Sequence, residues 1–582
     1  MTIQDDLVSD HPDRLDFADE SDVDTFVAAL EQFEKGELTS DQWKKFRRLR
    51  GVYEQRQGGK AMIRAKVPGG VIGPRQLRTL ASVADRFAGG IAHITTRQCF
   101  QLHFVPKEQI EAALRALGEG GITTREACGD SVRNFTACPL AGVAADEPFD
   151  VTPYLHALTR HFLRGPWSSK LPRKFKPSIG GCCGTDCSQA FINDLGFLAR
   201  TRDGERGFTL LAGGGLSTLR RSAIVVEEWI PAADLLEAAE AVVRVFHHHG
   251  NRDNRAKARL KFVIDKLGAD AVRGLYQEQR ALIRAEGGRP YTVEDPAPPR
   301  LPARLPLAGD PAPGFADWAA AAVRPQKQAG YATVRVRVTL GDVTSDQLRA
   351  LATLVETHGE GELRTTNDQN LVLRWIADDR LTHVHRALVA AGLVGTGVGT
   401  VVDVTTCQGA TTCQLAVTQS RGAGRLLTDV LLARPDLVAR APDLSIKVSG
   451  CPNSCGQHHV AGLGLQGGVR KVGGKAVYQY LVHLGGRTAA TGARFGKLVG
   501  KVPARRLPIL LERLIDVVER QRRPDEHADD VLARLDDEAI ATVLAGLTEL
   551  SAADATADDF VDLDDHETRR SPDDVLAPEV AA

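Results

Sequence analysis

Four cysteines in two short pairs carry the clearest chemistry in the chain: Cys407 and Cys413 in TTCQGATTCQLA, and Cys451 and Cys455 in SGCPNSCGQHH. Four thiolates are what a cubane iron–sulfur cluster needs, one sulfur at each iron corner. Glycines and a proline around the second pair suit a tight loop whose backbone closes over an inorganic core. A structural zinc site is the competing reading, because C-x3-C alone is a weak signal. Zinc knuckles usually use shorter C-x2-C hooks on small modules, which favours the cluster.

The rest of the chain has to position those sulfurs. At 582 residues it is too long for one core and predicts three or four domains. With 43% hydrophobic and 25% charged residues it reads as a globular protein, and a net charge of -1 gives no reason to expect nucleic acid or a membrane surface as partner. The start, MTIQDDLVSDHPDRLDFADE, is acidic and lacks an apolar stretch, so no targeting leader is expected. No apolar run is long enough to span a bilayer. Ten cysteines, largely clustered, suit metal ligation in a reduced cytoplasm better than a disulfide scaffold.

Two segments repeat in the same order. GGVIGPRQLRTLASVADRFAGG, ITTRQCFQLHFV and KEQIEAALRALGEGGI are matched downstream by GDVTSDQLRALATLVETHGEG, LRTTNDQNLVLRWI and DDRLTHVHRALVAAGL. Each set reads strand, helix, strand, helix, with a shared TT-x2-Q core, and predicts an internal duplication. Gly-rich strand ends at LLAGGGLST and YLVHLGGRTA, one in each half, suit close backbone approach to a flat or anionic ligand. A Pro-rich stretch from Gly287 to Gly314 reads as an extended connector between the halves. The first 55 residues, with one amphipathic stretch around Val23–Phe33, read as an arm; the Asp-rich tail from about Ala552 reads as unstructured.

MIRAKVPGG, TTRQCFQLHF, DSVRNFTACPLAG, LPRKFK, AGGGLST, RAKARLKF and C-x5-C followed by GCPNSCG together resemble the sulfite and nitrite reductase haemoprotein family, over roughly residues 50 to 520. The resemblance is nearest to the ferredoxin-dependent assimilatory sulfite reductases. It implies an α+β, internally duplicated, pseudo-two-fold architecture with ferredoxin-like half-domains and two larger α/β modules binding sirohaem and a [4Fe–4S] cluster. The expected layout is an arm (1–55), half-domain 1 (56–122), module 1 (123–286), linker (287–325), half-domain 2 (326–396), module 2 (397–520), then a C-terminal helix and acidic tail (521–582). The resemblance implies that Cys407, Cys413, Cys451 and Cys455 hold the cluster, with Cys455 also bridging to the sirohaem iron. It implies a distal anion pocket of Arg64, Arg133, Lys174 and Lys176: arginine gives a fork of donors, and lysine a compact charge able to relay a proton. Around the sirohaem carboxylates it suggests Arg97, Gln101 and His103, alternating along one strand face, with Arg255, Lys257, Arg259 and Lys261 in NRAKARLKF; Asn134 and Asn370 have less support.

The expected activity is six-electron reduction of sulfite to sulfide; nitrite reduction to ammonia is the alternative. The pair Lys174-x-Lys176 favours sulfite, since dedicated nitrite-reducing relatives tend to carry Asn at the second position. Tyr53 and Cys128 match positions that some members join by a thioether, and are expected linked or adjacent. Cys182, Cys183 and Cys187 in GGCCGTDCSQAF have no counterpart in the family pattern and read as buried thiols. No flavin or nicotinamide fingerprint is present, so electrons are expected from a reduced ferredoxin, or else a flavoprotein subunit, delivered to a monomer. A precorrin-type monooxygenase and a non-catalytic cluster protein are the rival readings.

Overall fold

The computed structural model describes residues 12–181, 186–291, 293, 299, 311–395 and 397–564. Cys182, Cys183, most of the Pro-rich connector and the end of the acidic tail lie outside the described residues.

Each half begins with a small antiparallel sheet, and each sheet is completed by the other half. Strands Val52–Glu54, Lys60–Ala65, Phe100–Pro106 and Ile91–Ile94 lie in that order, and the next strand is Asp342–Thr344. Reciprocally, Val323–Pro325, Tyr331–Val336, Leu371–Ala377 and Leu363–Thr365 are followed by Val71–Ile72. Glycine makes this exchange possible. A Cβ at Gly70 would sit 2.6 Å from Thr365 O, and one at Gly341 would sit 2.7 Å from Ile94 O. Helices Pro74–Phe87 and Ser345–His358 pack against each other over the two sheets. The first has Pro in its first turn, where fixed φ and a missing N–H cost nothing; the second opens on a Thr344–Gln347 capping box. One continuous apolar core serves both half-domains, from Ile63, Leu77 and Leu80 to Leu348, Leu363 and Leu373.

Each half then builds a larger mixed sheet. The first runs Thr136–Ala137, Pro177–Gly180, Leu195–Arg202, Glu205–Ala212 and Ile224–Pro231; the second runs Thr405–Thr406, Ile446–Ser449, Leu463–Val472, Lys475–Leu484 and Lys497–Pro503. In both, the first two pairings are parallel and the remainder antiparallel. Left-handed glutamines repeat with the fold: Gln98 (φ 60°) matches Gln369 (66°), and Gln189 (57°) matches Gln457 (64°). The internal duplication and the α+β class are thus borne out.

Three segments are more ordered than their composition suggested. Helices Glu20–Glu34 and Ser40–Leu49 place Phe26 and Trp43 in the half-domain core, so the described part of the expected arm belongs to it. The connector ends in helix Phe315–Ala322, whose Trp318 is buried in the same core. The C-terminal chain through Asp564 docks on module 2: Leu563 joins its core, and Asp562 accepts from Gln419 N at 2.7 Å. The amphipathic face outweighed the polar composition in each case.

Candidate functional site

In the bridge between Val132 and Phe175, the Lys174-Phe175-Lys176 segment is extended alongside residues 131–133. Alternation then sends Phe175 into the core, where it stacks on Phe246, and both lysines to the opposite side. Arg133 is fixed on the adjoining segment by its guanidinium, which donates to Gly129 O and Ala127 O at 2.6–3.0 Å. Arg64 reaches the same Ala127 carbonyl at 3.5 Å from the strand Lys60–Ala65. Arg64 and Arg133 thus meet at one carbonyl, Arg133 bears on Lys174 and Lys174 on Lys176, so the four cations of the expected anion pocket neighbour one another. The largest influences on the two lysines, after burial, are further cations and Cys455; the nearest carboxylate, Asp194, is held by Arg259 and the Lys176 backbone N–H. Both lysines keep some exposure although protein surrounds them, the condition of a deep cleft lining. Burial, then Arg259, holds Lys174 at about 7; burial, then Lys174, holds Lys176 well below the usual lysine range. At Arg64 burial works downward, but Cys128, Tyr53, Cys99 and Cys455 outweigh it and hold the guanidinium charged.

The four cysteines come together at the ends of the second large sheet. Cys407 follows Thr405–Thr406, and Cys451 and Cys455 follow Ile446–Ser449. Gly409 N–H and Gly450 N–H donate to Cys407 Sγ at 3.4 and 3.3 Å, which favours the thiolate a metal centre requires. Without a metal, burial and then Cys455 push Cys407 up to about 11 and raise Cys413 and Cys451 as well. No three cysteine sulfurs are among the ligand groups that close within 4.8 Å of one another in the described residues. A single zinc would draw its sulfurs to about 3.8 Å. The wider set fits a polynuclear cluster.

Half-domain 1 clamps this loop. Arg56 N and Gln57 Nε2 donate to Thr412 O and Thr411 O at 2.9 and 2.7 Å, and Thr96 Oγ1 donates to Cys455 O at 2.8 Å. Cys455 acts electrostatically on the other three cysteines and on Lys174, Lys176 and Arg64, so it stands between cluster loop and anion cleft.

The remaining candidates divide. Arg97 lies on the turn before Phe100–Pro106 and not on the strand, a correction to the expected alternation; it donates to Asn193 Oδ1, Asn134 O and Pro177 O. Burial lowers it to about 10. Gln101 and His103 do share a strand face, and register extends a polar row across four strands: Arg64, Gln101, His93, Asp342. Arg64 Nε, Arg97 Nε, Asn134 Oδ1 and both His103 ring nitrogens are buried without partners. Such orphans are what a polar, many-carboxylate ligand would satisfy, so the residues present fit sirohaem. RAKARLKF is neither strand nor one basic helix: a 3-10 turn Arg255–Lys257 leaves those two exposed, and only Arg259 and Lys261 turn inward. Arg259 pairs with Asp194 through two bonds of 2.9 and 2.7 Å, and Asp194 also accepts from Lys176 N at 2.8 Å. Lys261 Nζ donates to Leu216 O at 2.8 Å. Asn370 spends both ends of its amide on the protein, at Asp403 and Val338 N. Tyr53 OH accepts from Gly129 N at 3.4 Å, which places it beside Cys128.

Two findings were invisible by spacing. The His93 ring bonds Asp342 Oδ1 at 2.9 Å, and Arg421 pairs with the same carboxylate; burial outweighs Asp342 and holds His93 below its usual range. Strand register also equates Cys138 with Cys407 and Cys187 with Cys455, whereas Ala144 stands where the second half has Cys413. Without that sulfur the first half lacks the four-thiolate set. Aligning the two halves residue by residue around Gln189 and Gln457 would have been the signal.

Residues 128–282 and 397–546 match the family described as nitrite and sulphite reductase 4Fe-4S domain. Residues 53–120 and 324–391 match the nitrite/sulfite reductase ferredoxin-like half domain. The chain is 32% identical to a ferredoxin–nitrite reductase of Synechococcus elongatus, over 78% of this chain and 86% of that one. It is 31% identical to sulfite reductase [ferredoxin] 2 of Mycolicibacterium paratuberculosis, over 79% of each. The solved structure of Mycobacterium tuberculosis NirA protein superposes with a TM-score of 0.75 at 28% identity, covering 89% of this chain and 97% of that one.

Proposed function

This chain belongs to the nitrite and sulphite reductase family, and from that premise we propose that it reduces sulfite to sulfide, with nitrite to ammonia as a lesser activity. It is an oxidoreductase acting on sulfur or nitrogen oxyanions, and its cofactors are sirohaem and a [4Fe–4S] cluster. Together they supply electrons one at a time to a bound oxyanion. The protein's own work is to hold that anion and hand it protons.

The observation that carries the reading is the position of Cys455, within electrostatic reach of three further thiols on one side and Lys174, Lys176 and Arg64 on the other. In this proposal Cys407, Cys413, Cys451 and Cys455 hold the cluster. Arg97, Gln101, His103 and Asn134 meet the tetrapyrrole's polar rim, and Arg259 sets Lys176 through Asp194. Arg64 and Arg133 orient the oxyanion, whose oxygens match a guanidinium fork. Lys174, near neutrality in its acid strength, gives up a proton to each departing oxygen and regains one from water. Two arginines and two lysines that a bound anion would help to charge suit a dianion more than a monoanion, which favours sulfite. Nitrite is kept as the second reading because several relatives carry that substrate in their names. A reduced ferredoxin is proposed as donor on the same ground.

The test is the absorption spectrum of the purified protein, followed by sulfite and nitrite turnover with reduced ferredoxin. Faster sulfide production supports the reading. Ammonia as dominant product moves the assignment to nitrite.

A further inference from the structure

Three histidines of module 2 meet where it faces Ser217 and Arg220 of module 1. His458 and His459 lie on the 3-10 turn His458–Val460, and His483 lies on the strand Lys475–Leu484. All three are buried, and one nitrogen from each lies within 4.8 Å of the others. Their ring centroids are 4.1, 5.2 and 5.0 Å apart. Glycine permits the approach: a Cβ at Gly464, paired with His483 in the ladder, would lie 1.8 Å from His458 O.

All six ring nitrogens are buried without a hydrogen-bond partner. The nearest polar groups, one to a ring, are Gln466 at His458, the Ser217 backbone at His459 and the Gly496 backbone at His483; each bears on one nitrogen and leaves the other to a ligand. Burial holds His459 at about 3, His483 at about 4 and His458 lower than usual, so each offers a neutral lone pair at pH 7. A protein that buries three polar rings together leaves their hydrogen-bonding capacity unmet unless something binds it.

The duplication supplies an internal control. By the same register that equates Gln189 with Gln457, the counterparts of His458, His459 and His483 are Ala190, Phe191 and Leu211. Those three pack together as an ordinary apolar cluster. The fold therefore has no structural need for imidazole at these places.

We propose that His458, His459 and His483 form a site for a borderline divalent cation, zinc foremost, apart from the cysteine cluster. Three neutral imidazoles are a common donor set for zinc and leave its fourth position to water or an anion. Arg220 acts on all three rings, and an anion in the fourth position would offset its charge. The metal would tie the turn after Cys455 to the neighbouring strand.

The test uses holoenzyme incubated with zinc sulfate and desalted. The expected result is one equivalent of zinc per chain, with an absorption-edge spectrum showing three imidazole nitrogens at about 2.0–2.1 Å and no sulfur shell. The variant H458A/H459F/H483L rebuilds the apolar set of module 1; it should lose the zinc and retain full iron content. Should that variant lose iron as well, the wild-type spectrum decides alone. Substoichiometric zinc in the wild-type protein, or zinc bound through sulfur, overturns the proposal.

Discussion

The side-chain amides of Gln189 and Gln457 close on one another: Gln189 Nε2 donates to Gln457 Oε1 at 2.8 Å, and Gln457 Nε2 returns a bond to Gln189 Oε1. Each is a left-handed residue two positions after a cysteine, Cys187 or Cys455. The pair joins the two modules at matching points of the duplication, next to the proposed cluster loop.

That geometry predicts an unequal pair of substitutions. Gln457 also accepts from Lys447 Nζ at 3.1 Å and donates to Thr96 O at 3.4 Å, so Gln189→Leu leaves it both partners, whereas Gln457→Leu strands both ends of the buried Gln189 amide. Leaving buried polar groups unpaired costs about 1–3 kcal/mol. In guanidinium denaturation the midpoint should fall further for Gln457→Leu than for Gln189→Leu; the reverse order would refute the arrangement.

Gly456 has no room for a side chain. A Cβ there would lie 2.1 Å from Val448 O and 3.1 Å from Cys407 N. Gly456→Ala should displace the Cys451–Cys455 loop and cut iron and acid-labile sulfide in the purified protein by more than roughly half, with helical circular dichroism preserved. Gly58→Ala, with nothing within 4 Å, is the neutral control.

Lys174 sets a pH limit. Burial lowers it from 10.5 to about 7, so between those values the unfolded chain holds more protons than the folded one. Its burial therefore opposes folding below pH 7, and that penalty is relieved as pH rises towards 10.5. Activity runs the other way, because the anion needs the charged form. With nitrite, which stays a monoanion through this range, kcat/KM should decline as pH rises through about 7. Lys174→Met should lower kcat/KM roughly 10- to 100-fold and remove that inflection; an unaltered pH profile would sink the assignment.

Lys176 should discriminate between substrates. Lys176→Asn removes a side chain that a bound dianion would draw into its charged form, while keeping a hydrogen-bond donor. Sulfite kcat/KM is expected to fall roughly 10- to 100-fold and nitrite kcat/KM by less than about threefold. Equal losses for both anions would mean that Lys176 does not read substrate charge.

Sequence alone determined the paired cysteines and the duplication, because each is written in local spacing, C-x5-C with GCPNSCG and the repeated TT-x2-Q; of the proposed anion pocket only Lys174-x-Lys176 is a local pattern, and Arg64 and Arg133 were expected from the family resemblance. Alternation about Phe175 suffices to put both lysines on one side. Tertiary structure decided what depends on partners far along the chain. The exchange of Val71–Ile72 and Asp342–Thr344 between sheets joins each half to the other, and it sets His93 on Asp342. Arg97 left the strand it was expected on, and RAKARLKF split between solvent and interior, because turns and caps override a short alternating pattern. His483 is 28 residues beyond Cys455 in sequence, and only the strand register brings it to the His458–Val460 turn and matches the trio with an apolar cluster in the other half. Local pattern fixes which face a side chain takes; which faces meet depends on long-range packing that spacing does not encode.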